Sequence, residues 1–110
     1  SQGCCTALHC ALQYPRNLGG VVGIVGHLLS CTPVPAAKKN MPVSLYNGLD
    51  DTVMRWSWVR KTFRRLEDVG YSDLRMHREA GVQHDTGPKE REWLVDFLAR
   101  YVLDNAEQAA

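Results

Sequence analysis

No stretch of this sequence stays apolar for the roughly 20 residues a helix needs to cross a bilayer, so no transmembrane segment is expected. Charge of one sign is lacking too: 13 Lys and Arg face 12 Asp and Glu, a formal net charge of +1. Without a field of one sign the chain has little with which to gather nucleic acid or anionic lipid, and no nucleic-acid partner is expected. Cysteine is sparse. Four in 110 residues fall far short of a disulfide scaffold, and Cys4, Cys5 and Cys10 lie within seven positions, where mutual pairing is rare. Reduced thiols in a cytoplasmic protein are the expectation. The composition is neither collagenous nor disordered, and 45% hydrophobic residues suit one packed domain over residues 1–110. The chain opens on Ser1 rather than Met, which points to a processed or cut start.

The order of elements is readable. Residues 3–13 are small and apolar without Pro, the pattern of a tightly packed helix, and Tyr14-Pro15 stops it. Residues 20–25 (GVVGIV) form a β-branched run without alternation, as in a strand covered on both faces. A loop runs from Thr32 to Asn40, and residues 42–46 (PVSLY) read as a second strand closed by Asn47-Gly48. A helix is predicted from about Thr52 to Val69, with Val53, Trp56, Val59, Phe63 and Leu66 inward and Gly70 at its C-cap. Residues 73–79 alternate Leu74 and Met76 with polar neighbours, as a shorter strand nearer an edge would. Ala80 to Gly87 is a loop containing His84. Pro88 opens a last helix with the stripe Leu94, Phe97, Leu98, Tyr101 and Val102, and the tail from Asn105 to Ala110 is expected to fray.

The string α-β-α-β-α-β-α is that of an α/β fold, a parallel sheet with helices on both faces and right-handed crossovers. Three strands make a thin sheet. The apolar strand at 20–25 would present an unpaired edge, so a partner is expected there: more of the same polypeptide, namely a missing N-terminal half, or another chain. By this reasoning the chain looks like half a domain.

Parallel sheets place their functional groups at the carboxyl ends of strands. There the chain offers Asp50 and Asp51 after the second strand and His84 after the third, while Ser1 directly precedes the first helix. Serine, acid and histidine in that order match the chain order of the α/β-hydrolase triad. The chemistry needs all three. A serine hydroxyl is a poor nucleophile until an imidazole accepts its proton, and a carboxylate must fix that imidazole's tautomer and stabilise the imidazolium.

Three segments make the resemblance specific. Ser1-Gln2-Gly3 resembles the second half of a G-F-S-Q-G nucleophile elbow. Gly48-Leu49-Asp50-Asp51-Thr52-Val53-Met54 resembles the H-G-x-x-D-x-x-V segment that carries the acid. Gly81-Val82-Gln83-His84 resembles the G-V-x-H segment that carries the histidine, and Leu29-Ser30-Cys31 is similar to the end of the intervening strand. Together they resemble the acyl-protein thioesterase and carboxylesterase family, the phospholipase-carboxylesterase group, from Ser1 to about Leu103 and over the C-terminal half of its domain.

The resemblance implies Ser1 as nucleophile, Asp51 as acid and His84 as base, with Asp50 as the fallback acid and the backbone N–H of Gln2 as one oxyanion-hole donor. It also implies a serine hydrolase that passes through an acyl-enzyme without a metal or other cofactor. Its substrate would be a palmitoylated protein, a lysophospholipid or a small carboxylic ester. The sequence departs from the pattern at Asn47, where the family usually has His, at Cys4, where it has a small glycine, at Met54 and at Gln83; none of these removes a catalytic group.

Other readings compete. Cys5 and His9 at i, i+4 could suggest a metal site, but no second ligand pair accompanies them, and small buried helix residues explain the cysteines better. His9, His27 and His77 read as surface or hydrogen-bonded histidines. Arg55, Arg60, Lys61, Arg64 and Arg65 with Trp56, Trp58 and Phe63 could form a nucleic-acid or membrane patch. The helical spacing of the apolar members instead places them in the core, with the arginines on a solvated face. Ser1 could act as a true N-terminal nucleophile with its own amine as base, although a helix directly after it does not suit that chemistry. Outside enzymology, the chain could be an inactive half-domain or an interaction module that pairs through its open edge strand.

Overall fold

The computed structural model describes residues 1–103. Three helices and three strands follow one another in the order α1 (Gln2–Gln13), β1 (Val21–Ile24), β2 (Val43–Gly48), α2 (Trp56–Val69), β3 (Leu74–Glu79) and α3 (Glu90–Leu98). A 3-10 turn at Ala36–Lys38 interrupts the long connection before β2, and a π-helical turn at Ala99–Leu103 extends α3. All pairing is parallel, in the order β1-β2-β3. The expected α/β fold, a parallel sheet with helices on both faces, is therefore present. Where the string α-β-α-β-α-β-α calls for a helix between the first two strands, however, the Pro-rich connection forms only the 3-10 turn. Strand β1 forms one edge of the sheet among the described residues. The expected fraying tail, Asn105 to Ala110, lies outside the described residues, as does the side chain of Val102.

The register sorts the side chains onto two faces. Val21, Val43 and Leu74 align, as do Gly23, Leu45 and Met76, and these share one face. Helix α1 covers β1 so closely that a side chain at Gly23 or Gly26 would strike Cys4. Small residues in both partners permit that approach. Helix α2 covers the same face further along, where Arg78 of β3 lies 3.7 Å from the ring centroid of Trp56. The other face carries Ile24, Tyr46 and His77 and is covered by α3, whose Trp93 ring sits 5.8 Å from Tyr46. Leu45, Tyr46, Val59 and Leu66 are essentially removed from solvent at the centre of the core.

Several boundaries differ from those the sequence suggests. Strand β2 continues through Asn47 and Gly48, because both pair in register with Arg78 and Glu79 instead of turning. Its neighbour β3 is just as long. Helix α2 starts at Trp56, four residues late, and Val53 lies outside it, 60% exposed. The Asp51 carboxylate accepts the backbone N–H groups of Val53 and Met54 at 2.8 Å each, which bends the chain there. Met76 faces the same side as Leu45 but stands on the outer strand and is 48% exposed. Helix α3 begins two residues after Pro88, and of its expected stripe Phe97 is buried while Leu98 is exposed.

The β-branched run also departs from expectation. Val21 and Gly23 are buried, but Val22 and Ile24 are only half-buried, so β1 is covered fully on one face. The chain leaves β1 through Val25, whose φ of 59° is rare for a β-branched residue and carries strain of about 1–3 kcal/mol. The connection after it is tied to both helices on the first face. His9 Nδ1 bonds Thr32 Oγ1 at 2.8 Å, the Leu28 N–H donates to Thr62 Oγ1 at 2.9 Å, and Arg65 donates to the carbonyls of Leu29 and Thr32. Arg65 is thus a brace for this loop, not a member of a solvated face. Trp58, 43% exposed, is not core either; it packs beside His27 with ring centroids 5.4 Å apart.

The two register partners Leu45 and Met76 give the packing a direct test. Leu45→Ala is expected to cost about 2–5 kcal/mol, and Met76→Ala no more than about 0.5 kcal/mol, in urea unfolding. Similar losses for the two would contradict this assignment of the core.

Candidate active site

The carboxyl ends of the three strands lie side by side, and each expected site residue sits near one of them. Ser1 is the N-cap of α1; its hydroxyl does not cap the helix, and its side chain is exposed. Because α1 runs back over β1, the Ser1 carbonyl lies against Gly26, two residues beyond the end of β1. Asp51 follows β2 by three residues. His84 follows β3 by five. Gly48, the last residue of β2, is held so close to the carbonyls of Val82 and Gln83 that any side chain there would collide with them. That contact brings the third loop onto the second.

Asp51 and His84 meet. His84 Nδ1 donates to Asp51 Oδ2 at 2.9 Å, with the Asp51 side chain fully buried and the imidazole about one-third exposed, 32%. The other carboxylate oxygen, Oδ1, accepts the N–H groups of Val53 and Met54. Burial alone pushes the Asp51 carboxyl up. The backbone N–H of Met54, the imidazole of His84 and the N–H of Val53 more than offset that, and hold it below the ordinary 3.8. The acid is therefore ionised, oriented and desolvated. With Nδ1 committed to Asp51, the opposite ring nitrogen, Nε2, is directed away from the carboxylate and bonds none of the described residues.

Asp50 behaves differently. It is exposed, and its Oδ2 accepts the Gly81 N–H at 2.9 Å, while its own N–H donates to the Val82 carbonyl. It fastens the start of the histidine loop and does not touch the imidazole. Ser1 and His84 share no hydrogen bond. The Gln2 N–H is the first of α1 and, like every first-turn amide, has no acceptor within the helix. Asn47 is 1% exposed with neither its amide oxygen nor its nitrogen bonded.

The remaining candidates divide. Cys4 and Cys5 are buried in α1, and burial pushes the Cys4 thiol up to about 12, but Cys10 and Cys31 are exposed. All four are free of disulfides. Among the described residues, no group of three or more His, Cys, Asp and Glu side chains is arranged to hold a metal ion. His27 bonds the Leu28 carbonyl at 2.6 Å, whereas His77 packs against both Tyr46 and Trp93 with its Nε2 buried and unpartnered. Two residues that the sequence does not single out bear on the site, Tyr46 and Glu79. They bond the far end of the histidine loop from beneath, and contacts between positions 33 and 41 residues apart leave no local pattern to read. No helix among the described residues is long and apolar enough to cross a membrane.

Comparison with known proteins agrees with this architecture. The chain is 23% identical over 108 residues to acyl-protein thioesterase 1 of Aspergillus fumigatus, covering 93% of this chain and 45% of that protein. Its fold superposes on Zea mays acyl-protein thioesterase 2 with a TM-score of 0.76 at 24% identity, covering 90% of this chain and 52% of the other. The corresponding figures for Arabidopsis thaliana SOBER1 are 0.78 at 22% identity, covering 93% and 50%. The chain thus spans about half the length of these relatives, and its three parallel strands with their helices match part of an α/β-hydrolase fold. The sequence model of the phospholipase/carboxylesterase family matches residues 1–102, and the chain belongs to that family.

Proposed function

We propose that this chain supplies the catalytic residues of a serine hydrolase for carboxylic esters or thioesters, with Ser1 as nucleophile, His84 as general base and Asp51 as its orienting carboxylate. The observation that carries this reading is the 2.9 Å hydrogen bond from His84 Nδ1 to the buried Asp51 carboxylate, made past the carboxyl ends of β2 and β3, while Ser1 lies past the carboxyl end of β1. Asp51 fixes the tautomer, so the free electron pair resides on Nε2. In the reaction, Nε2 takes the proton as Ser1 Oγ bonds to the acyl carbon. The tetrahedral oxyanion accepts the Gln2 N–H, then collapses, and the leaving alcohol or thiol departs with the proton from His84. Water, deprotonated by the same nitrogen, attacks the acyl-enzyme. The acid is released and Ser1 regains its proton. No step requires a cofactor.

Family membership supports the ester or thioester class. The relatives named for acyl-protein thioesterase activity favour an acylated protein as substrate, with lysophospholipids and small carboxylic esters as the other candidates. Four unpaired cysteines, two of them exposed, favour a reducing compartment such as the cytoplasm.

A second reading is favoured by one observation. Strand β1 pairs only with β2 among the described residues, so the half-buried run of Val22 and Ile24 lies on an open edge. The chain would then act as an inactive half-domain or an interaction module, completed by a strand from elsewhere. Turnover separates the two readings.

In the protein that carries this chain, a fluorophosphonate is expected to label Ser1. Ser1→Ala and His84→Ala are each expected to lower kcat/KM for a p-nitrophenyl ester by at least about a thousandfold. Labelling of a different residue, or wild-type turnover by His84→Ala, contradicts the hydrolase reading. The Asp51 carboxyl also makes stability depend on pH with a definite sign. A group whose pKa is lowered by folding stabilises the native state fully above its unfolded value, here the ordinary 3.8, and loses that contribution as pH falls through the lowered one. Urea midpoints should therefore fall between pH 6 and pH 3 more steeply for the wild type than for Asp51→Asn; equal slopes would contradict the assigned hydrogen bonds.

A further inference from the structure

The histidine loop, residues 80–89, hangs between β3 and α3, and its two ends are held by different means. At its start, Asp50 and the last residue of β2 grip Gly81 and Val82 from above the sheet. At its far end the grip comes from two buried side chains on the face under α3. The Gly87 N–H donates to the Tyr46 hydroxyl at 2.8 Å, and that hydroxyl donates in turn to Glu79 Oε1 at 2.8 Å. The same carboxylate oxygen accepts the Lys89 N–H at 3.1 Å. A side chain at Gly87 would collide with the Glu79 carboxylate, so the loop lies directly on it.

Glu79 is an unusual group to find there. It is 6% exposed, and no Lys, Arg or His nitrogen among the described residues lies within ion-pair distance of it. Removing a carboxylate from water without a counter-charge is costly, and an apolar residue would serve packing better. What it has instead of a cation is a phenol and a backbone amide, and both bonds end on the loop or lead to it. Burial, with the bond to Glu79 and the charges of Glu79 and Glu90, outweighs the Gly87 N–H bond and raises the Tyr46 pKa above its ordinary 10, so the phenol keeps its proton and remains a donor.

We propose that Tyr46 and Glu79 are positioning residues for His84: a buried phenol–carboxylate clamp that fixes the Gly87–Lys89 end of the loop and so keeps the imidazole seated on Asp51. The proposal rests on the hydrolase reading of the site. His84 stands three residues from Gly87, and about one-third of its side chain is open to solvent, so its seat on Asp51 depends on where the loop lies. With the start of the loop held by Asp50 and Gly48, the clamp supplies the second anchor. Releasing that anchor lets the loop swing about the first and lengthens the hydrogen bond to Asp51. Displacement of a catalytic group by about 1 Å can cost up to about a hundredfold in rate.

The test uses the protein that carries this chain, with p-nitrophenyl butyrate as substrate. Tyr46→Phe keeps the ring and removes the hydroxyl; Glu79→Ala removes the carboxylate; Glu79→Gln keeps an oxygen able to accept both bonds. Tyr46→Phe and Glu79→Ala are expected to lower kcat by about tenfold or more with KM changed by less than about twofold, and Glu79→Gln to recover kcat to within about threefold of wild type. The low-field proton resonance of the His84 Nδ1–H should be lost or broadened in Tyr46→Phe and present in Glu79→Gln. Wild-type kcat together with an unchanged resonance in Tyr46→Phe overturns the proposal. So does a Glu79→Gln variant as impaired as Glu79→Ala, or a fall in kcat that only tracks loss of folded protein by circular dichroism. His84→Ala, assayed in parallel, separates the two claims. If it retains turnover, the hydrolase reading fails, and the resonance still decides whether the clamp seats the imidazole.

Discussion

A carboxylate with no solvent contact must find all its hydrogen bonds within the protein, and Asp51 finds three: two backbone amides on one oxygen and an imidazole on the other. The arrangement constrains two loops at once. The amides bend the chain between β2 and α2 and set where that helix begins. The imidazole draws the loop after β3 across to the end of β2. Without the carboxylate, the imidazole 33 residues away would have no partner to orient it. Without the bent segment, the carboxylate would lack the amides that keep it ionised while buried.

The rest of the fold delivers these groups to one place. Parallel pairing puts the ends of β1, β2 and β3 in a row, about 4.8 Å from one strand to the next. Small residues in α1 and glycines in and after β1 bring the first helix down onto the sheet, which sets the Ser1 end of that helix against Gly26. The contact between Gly48 and the Val82 and Gln83 carbonyls closes the remaining gap. Aromatic packing on the opposite face, with Trp93 and His77 around Tyr46, keeps the phenol beneath the histidine loop. Close packing of backbone on one side of the site and hydrogen bonding to buried side chains on the other leave that loop little freedom.

The three strands, their parallel sheet and the segments that hold Asp51 and His84 were legible in the residues themselves, because each is a local pattern: a β-branched run, an i, i+3, i+4 stripe, a Gly three residues before an Asp or His. The places where reading failed share a physical cause. Val53 fits a helical stripe, but the Asp51 side chain takes its N–H and bends the chain before α2. Met76 alternates correctly yet stands on an outer strand, where the facing helix does not cover it. Trp58 and Arg65 look like one core residue and one solvated charge; the loop after β1 covers the first only in part, through His27, and recruits the second as a brace. Tyr46 and Glu79 carry no local signature at all, since they bond each other across β2 and β3 and meet the loop that follows. Periodicity records which face a residue occupies, not how far the neighbouring element extends over that face.

The proposed relay joins Ser1 to a pair whose own contact is already made, so the geometry of a trapped adduct tests it most directly. A crystal structure of the protein that carries this chain, after reaction with a fluorophosphonate, should show phosphorus bonded to Ser1 Oγ. It should also show His84 Nε2 within about 3 Å of that oxygen, Nδ1 still on Asp51, and the phosphonyl oxygen facing the Gln2 N–H. Phosphorus on another side chain, or an imidazole turned from Ser1 while it remains bonded to Asp51, would contradict it.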